Sequence, residues 1–467
     1  MAVFKKQLSF QEGIYMKIII FGCGKIGATI ISSLTGEGHD IVAMDKDPAV
    51  VEEITTLYDV MGYCGMGVDS DTMHEAGVEE AELFAAVTGS DELNMLACFL
   101  AGKMGAKHTI ARIRTPEYND QSLAFMKQHL DISVTLNPDL LTAQEIYNKM
   151  RFPSAVKVET FSGRNLEIVE LNLKEDSPFA GMKLIDLRKK HSENFLVCVV
   201  MRGDEVYIPD GNFELKVGDR IGVTAPHSEI QKLLKNMGMP QKMPKNAMIL
   251  GASKIGYYLS KMLISAGVNV KVIDMDRPAC EAFATRVPSS TVIFGDGMQP
   301  EVLLEEGIED MDAFIGLTGS DEVNVLSSFF ASEQKVGTVI AKVNRPELAQ
   351  TAGKLGLECI VSPQKCVSNV LSRYARALHN SIGSNVETLY KLVDGKAEVL
   401  EFNVRPDFRC ADIPLREMKL KSNVLIAGIV RGRKPIIPSG NDIILPGDKV
   451  IVLAAGHTLC DLSDILA

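Results

Sequence analysis

Apolar and polar positions along the chain predict short β-strands that alternate with helices. The apolar run Lys17–Phe21 predicts a first strand. The apolar spacing between Ile26 and Leu34 then predicts a helix with one buried face, and Asp40–Asp45 predicts a second strand. Alternation of this kind is typical of a doubly wound parallel sheet. The pattern continues through the strand Val60–Cys64, the helix Asp69–Ala76, the strand Leu83–Val87, the helix Asp91–Met104, the strand Thr109–Arg112 and the helix Asp139–Met150.

The next part of the chain, from Val156 to Leu234, follows a different pattern. Alternating apolar positions in Glu167–Leu173 and Phe195–Met201 predict strands, and Glu205–Ile208 predicts a shorter one. A short helix is expected to begin at Leu184. This part therefore predicts a small α+β domain.

The whole arrangement occurs twice, which is the sign of an internal duplication. The turn Gly22–Gly27 and the strand-end Asp45 recur 229 residues later, and the T-G-S-D-E-x-N motif that begins at Thr88 recurs 230 residues later. We therefore predict two large and two small domains, with a linker at Asn236–Asn246. Their predicted bounds are 16–138 (the first lobe), 154–237 (the first small domain), 245–363 (the second lobe) and 386–467 (the second small domain).

The glycine turn has the form of a phosphate-binding loop. It reads G-x-G-x-x-G from Gly22 to Gly27 and lies between a predicted strand and a predicted helix. The first glycine permits a tight turn, the second lets the backbone approach a pyrophosphate, and the helix N-terminus supplies free N–H groups. Asp45 follows Gly27 by 18 residues, where an acid accepts hydrogen bonds from a ribose. This context favours nucleotide binding over a purely structural turn.

Composition narrows the class of protein. The 467 residues suggest about three domains, with two to four allowed. The net charge of −11 argues against a nucleic-acid partner, which requires a basic face. No apolar run reaches the roughly 18 residues of a membrane span, and Met1–Tyr15 predicts a short extension or tag remnant instead of a signal peptide. The nine cysteines and eight histidines are scattered, which argues against a zinc site or disulfide framework and favours a reducing cytoplasm.

The motifs in combination resemble the RCK (also called KTN) family of potassium-channel and transporter regulators. The tandem arrangement is similar to the form that serves Trk potassium uptake, and the resemblance covers nearly all of residues 16–467. It implies an α/β fold of tandem, duplicated Rossmann-like N-terminal domains, each followed by a small α+β C-terminal domain. The motifs that carry it are Gly22–Gly27, Asp45, Glu75–Gly77, Val87–Asn94 and Ile110–Arg114, with their copies in the second half.

This resemblance implies a regulator with no catalytic residues and no metal. Such a chain is expected to bind NAD or NADH, with ATP, ADP or AMP as the alternative. It is expected to form a homotetramer ring, peripheral on the cytoplasmic face of the membrane. There it would gate an integral-membrane potassium-translocating subunit of the TrkH/TrkG type. The rival interpretation is a nicotinamide-dependent oxidoreductase, although the chain lacks a substrate domain with a His or Lys acid–base set.

In the first lobe, the backbone of the glycine turn is expected to cradle phosphates. Asp45 would hold a ribose, and its charge disfavours a 2′-phosphate, which favours NAD(H) over NADP. The resemblance puts Met66 beside the adenine. Arg112 ends a strand and offers a bidentate fork to a phosphate, with a surface ion pair as the alternative. The candidate residues are Gly22, Cys23, Gly24, Lys25, Ile26, Asp45, Met66, Thr88, Gly89 and Arg112.

The second lobe departs from this pattern at three positions. Ser253 replaces the second glycine, so that its Cβ crowds a pyrophosphate, although its hydroxyl can donate a hydrogen bond. Lys342 replaces Arg112 as a point charge, and Asp296 replaces Met66, where it suits an adenine amino group. We hypothesise that this lobe binds a smaller or different nucleotide, or binds more weakly. The candidate residues are Gly251, Ala252, Ser253, Lys254, Ile255, Asp274, Asp296, Thr318, Gly319 and Lys342.

Two further features allow more than one interpretation. Asp91 and Glu92 are candidate acid–base groups, but they open a predicted helix, where carboxylates are favoured electrostatically. Helix capping is therefore the predicted role. Cys23 lies inside the phosphate turn and is a candidate for oxidation sensing, although nothing in the sequence indicates a lowered thiol pKa.

Overall fold

The structure, a computed structural model, falls into two compact units. One holds the chain up to Leu141 with Pro363–Ala375, and the other holds Thr142–Ser362 with Arg376–Ala467. The predicted extension Met1–Tyr15 and most of the predicted linker lie outside the described residues. The residues described are 16–36, 38–118, 120–152, 155–161, 165–175, 177–190, 194–236, 243–357, 359–381, 386–457, 459 and 461–467.

The first lobe is a parallel sheet with helical crossovers, as predicted. Its strands are β1 (Lys17–Phe21), β2 (Asp40–Asp45), β3 (Met61–Cys64), β4 (Leu83–Ala86), β5 (His108–Arg112) and β6 (Val134–Leu136). Its helices are α1 (Lys25–Thr35), α2 (Pro48–Tyr58), α3 (Ser70–Glu75), α4 (Asp91–Met104) and α5 (Asp120–His129), and α6 (Pro138–Arg151) continues into the other unit. The strand order is β3-β2-β1-β4-β5-β6. The central strands are continuous apolar runs because parallel crossovers place helices on the sheet faces.

The first small domain is an antiparallel sheet. It contains β7 (Ala155–Phe161), β8 (Leu166–Asn172), α7 (Leu184–Lys190), β9 (Leu196–Arg202), β10 (Glu205–Tyr207), β11 (Arg220–Pro226) and α8 (His227–Asn236). The strand order is β10-β9-β11-β8-β7. The α+β prediction is confirmed, and β7 and α8 are additions to it.

The second half repeats both architectures. The second lobe contains β12 (Asn246–Leu250), α9 (Lys254–Ser265), β13 (Asn269–Asp274), α10 (Arg277–Arg286), β14 (Thr291–Phe294), α11 (Pro300–Glu305), β15 (Ala313–Gly316), α12 (Asp321–Glu333), β16 (Thr338–Lys342), α13 (Pro346–Lys354) and β17 (Cys359–Val361). After α14 (Pro363–Ser381) come β18 (Val386–Leu392), β19 (Ala397–Asn403), β20 (Val424–Arg431), β21 (Lys434–Ile436) and β22 (Lys449–Ala455). The orders β14-β13-β12-β15-β16-β17 and β18-β19-β22-β20-β21 confirm the duplicated fold. None of the helices in the described part of the chain has both the length and the apolar character needed to cross a bilayer.

The two small sheets share one hydrophobic core. Phe161, Leu166 and Val199 of the first sheet cluster with apolar residues of the second, including Val399 and Leu453. Strand β20 has no side chain at Gly428, where an added Cβ would lie 2.5 Å from the Cδ2 atom of Leu166. The missing side chain therefore makes room for a leucine from the other sheet.

A buried carboxylate also joins the two small sheets. Glu170 on β8 is fully buried, and its Oε2 atom accepts from the guanidinium of Arg220 on β11 at 2.6 Å. Its Oε1 atom accepts the N–H of Val393 at 3.1 Å. Val393 has a left-handed backbone with φ of 46°, which is unfavourable for a β-branched residue. Glu170 therefore stabilises a strained turn of the opposite sheet.

We predict that Glu170→Leu will destabilise the paired small sheets by about 3–5 kcal/mol, because it leaves Arg220 without its buried partner. Hydrogen exchange followed by mass spectrometry should show faster exchange in the Val386–Asn403 hairpin. The double variant Glu170→Leu/Arg220→Met should recover most of the protection, because the guanidinium is removed together with the carboxylate. Unchanged exchange in the single variant would contradict the prediction, and strand β1 serves as the internal control.

Candidate functional site

The glycine turn of each lobe is pressed against the carboxyl end of the neighbouring central strand. Gly22 has φ of 98°, and a Cβ added to it would lie 2.8 Å from the backbone nitrogen of Thr88. Gly251 has φ of 114°, and its added Cβ would lie 2.8 Å from the carbonyl carbon of Leu317. Only glycine fits both the backbone conformation and the space. The turn is therefore fixed at the carboxyl edge of the sheet, where open α/β sheets bind ligands.

The predicted ribose acid of each lobe is held against the glycine turn by backbone N–H groups. The carboxylate of Asp45 accepts from the N–H of Cys23 at 2.7 Å and from that of Asp47 at 3.1 Å. Asp274 repeats this arrangement, accepting from Ala252 at 2.7 Å and from the N–H two residues further on at 2.8 Å. A carboxylate has about four lone-pair sites. Each acid is therefore fixed in position and keeps acceptor capacity for ribose hydroxyls.

A buried asparagine brings the ends of two strands together in each lobe. The Oδ1 atom of Asn94 accepts from the N–H and the hydroxyl of Thr88 at 2.9 and 2.7 Å. Its Nδ2 atom donates to the carbonyl oxygens of Thr88 and Arg112 at 3.3 and 2.9 Å. Asn324 makes the same four bonds in the second lobe, at 2.8 to 3.2 Å. The sequence analysis assigns no such role to Asn94, although its place in the repeated motif was an available signal.

The structure corrects the predicted capping role of the two carboxylates that open α4. Asp91 and Glu92 do lie in the first turn, but the capping side chain belongs to Ser90. The buried carboxylate of Asp91 instead accepts from the N–H groups of Arg114 and Thr115 at 2.9 and 2.8 Å. It therefore fixes the loop that follows β5.

Asp321 plays the same part in the second lobe. It accepts from the N–H groups of Asn344 and Arg345, both at 3.0 Å. Burial alone raises the pKa of the Asp321 carboxyl, but the donors outweigh burial and the pKa is lowered. Asp321 is therefore a charged structural anchor and a poor proton donor near neutral pH.

Arg112 lies across the carboxyl end of the first sheet. Its Nη1 atom donates to the carbonyl oxygen of Thr88 at 2.6 Å. Its Nε atom is buried, and no hydrogen-bond partner for it exists within the described residues. Burial, and next the neighbouring charge of Arg114, lower the pKa of Arg112. No carboxylate of the described chain forms an ion pair with Arg112, so the ion-pair alternative has no support.

The thiol of Cys23 is unreactive in this setting. It is buried and donates to the carbonyl oxygen of Met44 at 3.5 Å. Burial, and next the charge of Asp45, raise the pKa of Cys23 to about 12. Because the thiolate is the reactive species, a neutral thiol with this pKa does not suit an oxidation sensor.

The two lobes differ at the N-terminus of the helix that follows the turn. Gly24 is the N-cap of α1 and provides no side-chain cap, and a Cβ added to it would meet nothing within 4 Å. In the second lobe, the hydroxyl of Ser253 accepts the N–H of Gly256 at 3.2 Å. The first lobe therefore leaves both space and donors for an anionic group, whereas Ser253 uses one donor and part of the space.

A cleft of about 300 Å³ lies at the carboxyl edge of the second lobe. Met275 and Met298 also line it and expose 71% and 42% of their surfaces. In the first lobe, the predicted adenine neighbour Met66 is 42% exposed. The sequence analysis missed the two methionines of the cleft. Met275 directly follows the strand-end Asp274, and Met298 lies two residues after Asp296. The predicted residues that line the cleft are Gly251, Ala252, Ser253, Asp274, Asp296, Thr318 and Gly319.

Other predicted residues lie outside the lining of this cleft. They are Lys254, Ile255 and Lys342. The side chain of Ile255 is buried in the lobe, so any contribution to phosphate binding comes from its backbone N–H. In the first lobe, Lys25 and Gly89 are exposed and Ile26 is half-buried beside the open helix terminus.

Comparison with known families matches both halves of the chain to the same two domain families. The TrkA-N domain family matches residues 18–132 and 247–363, and the TrkA-C domain family matches residues 168–238 and 399–467. A Trk system potassium uptake protein TrkA homolog of Archaeoglobus fulgidus is 32% identical over 451 residues, which cover 96% of this chain and all of that relative. The Trk system potassium uptake protein TrkA of Azorhizobium caulinodans is 28% identical over 446 residues, covering 94% and 96%.

Solved structures share the fold. The GsuK channel bound to NAD superposes with a TM-score of 0.63 at 17% identity, covering 95% of this chain and 78% of that one. The crystal structure of the GsuK RCK domain gives 0.62 at 18% identity, covering 95% and 93%. At this level of identity, the comparison establishes a common architecture of the lobes and small domains.

We predict that exchanging the two N-cap residues will shift dinucleotide affinity in opposite directions. Gly24→Ser should weaken NADH binding to the first lobe roughly 10- to 100-fold, because the new hydroxyl takes an N–H that a charged phosphate would accept. Ser253→Gly should strengthen binding to the second lobe. Calorimetry would measure each lobe with the other weakened by Asp45→Ala or Asp274→Ala. A change of the same sign in both variants would contradict this prediction.

Proposed function

The chain belongs to the TrkA family of tandem TrkA-N and TrkA-C proteins, and from this premise we propose that it is the nucleotide-binding regulatory subunit of a potassium-uptake system. Relatives named as Trk system potassium uptake proteins match it along almost its whole length. The observation that carries the nucleotide role is the position of Asp45. Its carboxylate accepts a hydrogen bond from the N–H of Cys23 in the glycine turn, next to a helix N-terminus without a side-chain cap.

In this proposal, each lobe holds one nucleotide at the carboxyl edge of its sheet. The turn and the helix N-terminus bind phosphates, the strand-end acid binds ribose hydroxyls, and the loop after the third strand flanks the adenine. Arg112 and Lys342 supply positive charge. The binding residues are Gly22, Cys23, Gly24, Lys25, Ile26, Asp45, Met66, Thr88, Gly89 and Arg112 in the first lobe. In the second lobe they are Gly251, Ala252, Ser253, Lys254, Ile255, Asp274, Asp296, Thr318, Gly319 and Lys342.

NAD or NADH is the proposed ligand of the first lobe, with ATP, ADP or AMP as the alternative. The charge of Asp45 disfavours a 2′-phosphate, and Gly24 leaves the space that a pyrophosphate needs. A fold relative that is a channel bound to NAD supports the choice. The residues present therefore fit a dinucleotide at this lobe.

The proposal excludes a catalytic role for the nucleotide. The acids near the turn are engaged by backbone N–H groups, as in Asp91 and Asp45, which suits anchoring better than proton transfer. The relatives are named as uptake-system proteins. An oxidoreductase would also need a substrate-binding group beside the nicotinamide.

Regulation would follow from differential binding. We place the chain on the cytoplasmic face of the membrane, as a homotetramer ring against an integral-membrane subunit of the TrkH/TrkG type. A nucleotide that binds one ring state more tightly shifts the ring toward that state, and the membrane subunit responds. The proposed domain bounds remain 16–138, 154–237, 245–363 and 386–467.

Calorimetric titration of the purified chain with NADH, NAD, ATP and ADP tests the ligand. We expect saturable binding that Asp45→Ala weakens roughly 10- to 100-fold at the first lobe, because a charged acceptor of ribose hydroxyls is lost. Asp40→Asn, an exposed acid at the opposite end of β2, is the matched control and should bind as the parent does. Absence of binding for all four nucleotides would overturn the proposal, as would NADH consumption with a substrate.

Potassium flux into vesicles that contain the membrane subunit tests regulation. We expect the parent chain to change the flux when the nucleotide is added, and the Asp45→Ala chain to respond only at higher nucleotide concentration. The two chains should bind the vesicles equally well, which a sedimentation control would establish. A flux that never depends on nucleotide would leave the chain as a binding protein without the proposed regulatory role.

A further inference from the structure

An arginine stacked on an aromatic ring distinguishes the second lobe from the first. Arg277 opens α10, and its guanidinium lies 4.4 Å from the centroid of the Phe294 ring. The ring exposes 51% of its surface. A cation at this distance over a ring face is attracted by the ring quadrupole. Within the described part of the chain, the guanidinium has no hydrogen-bond or ion-pair partner, so it is held in place with its donors unused.

The pair adjoins the part of the cleft that we assign to a ribose. Phe294 ends β14 and lies beside Asp274 in the strand register. Arg277 follows Asp274 by three residues, and Asp296, two residues after Phe294, lines the cleft. Neither side chain lines the cleft itself, but both stand at the carboxyl edge of the sheet, Phe294 beside the strand-end acid and Arg277 on the helix that follows it.

The first lobe has no such pair. Its residues at the equivalent positions are Pro48 and Cys64. Lys46 is a cation next to the ribose acid of this lobe, but it is exposed and no described ring lies beneath it. A lysine is also a mobile point charge, whereas the arginine fork matches two phosphate oxygens at once.

These observations point to a specific class of ligand. In the dinucleotide-binding fold, an arginine near the position of the strand-end acid accommodates a 2′-phosphate on the ribose. We propose that the second lobe binds an adenine nucleotide whose ribose carries a phosphate, and that Arg277, ordered by Phe294, binds this phosphate. The inference rests on the proposed nucleotide function and names the ligand class of one lobe. A 2′-phosphate, as in NADP, and a 3′-phosphate, as in coenzyme A, share this chemistry.

The charge of Asp274 opposes a ribose phosphate, and Arg277 offsets it. Cys280, whose thiol donates to the backbone carbonyl oxygen of Asp274 at 3.4 Å, is sensitive to both charges. Burial, and next Asp274, raise the pKa of this thiol, while Arg277 acts in the opposite direction. Asp274 also shares its charge with two N–H donors.

Calorimetry on the full chain with Asp45→Ala, which weakens the first lobe so that the second lobe dominates the titration, tests the proposal. The probes are 2′,5′-ADP, 3′,5′-ADP and 5′-AMP. We expect one or both bisphosphates to bind roughly tenfold more tightly than 5′-AMP, because a charge-assisted bidentate pair is added. Arg277→Ala should bring this affinity ratio close to one, and Arg277→Lys should retain part of it. Phe294→Leu should also lower the ratio, because it removes the ring that orders the fork.

The matched control is Arg286→Ala, at the opposite end of α10, which should leave the ratio at the parent value. The two bisphosphates distinguish a ligand with a 2′-phosphate from one with a 3′-phosphate, because each carries its second phosphate on a different ribose hydroxyl. Equal or weaker binding of both bisphosphates relative to 5′-AMP would overturn the inference while leaving the proposed nucleotide function intact. An unchanged ratio in Arg277→Ala would overturn it as well. Failure of all three probes, with NADH also failing on the parent chain, would instead overturn the proposed function.

Discussion

The close approach of a glycine turn to the end of a neighbouring strand is the constraint on which each lobe depends. At Gly22 and Gly251 there is no room for a Cβ, so the backbone of the turn lies directly on the sheet edge. This contact brings the turn within hydrogen-bonding distance of the strand-end acid, which in turn accepts an N–H from the turn. A buried asparagine then ties the ends of the next two strands together. The candidate site is therefore fixed by backbone geometry, and its side chains are free to diverge.

The two lobes have diverged at the positions that this shared framework leaves open. The N-cap is Gly24 in one lobe and Ser253 in the other, and the hydroxyl of Ser253 satisfies a helix donor that the first lobe leaves available. The cation that follows the strand-end acid also differs, being the exposed Lys46 in the first lobe and Arg277 on an aromatic ring in the second. Under the proposed function, two unlike sites would let one chain respond to two signals, because ligand binding shifts an equilibrium only through differential affinity.

The small domains are held together by interactions of another kind. Their sheets share one apolar core, and the carboxylate of Glu170 crosses between them to a strained backbone N–H at Val393. A buried carboxylate is costly unless it is paired and hydrogen-bonded, and Arg220 and Val393 supply these partners. The arrangement favours one alignment of the sheets over others, because any shift would leave a buried charge without its donors.

Local sequence determined the lobes to a large extent. Apolar periodicity, the glycine turns and the repeated motif predicted the parallel sheets, the duplication and the strand-end acids, because these features depend on residues that are near one another in the chain. The short strand β6 and the helix α5 were not predicted, since three residues or a weak apolar face give little periodic signal. The helix α8 was also not predicted, although Ile230, Leu233 and Leu234 give it an apolar face at helical spacing. The capping role of Ser90 is local, because its hydroxyl accepts an N–H three residues further on. The anchoring by Asn94 and Asp91 and the pairing of Arg277 with Phe294 were decided by tertiary structure. Each depends on which distant backbone group or ring lies within contact distance, and periodicity along the chain does not encode that.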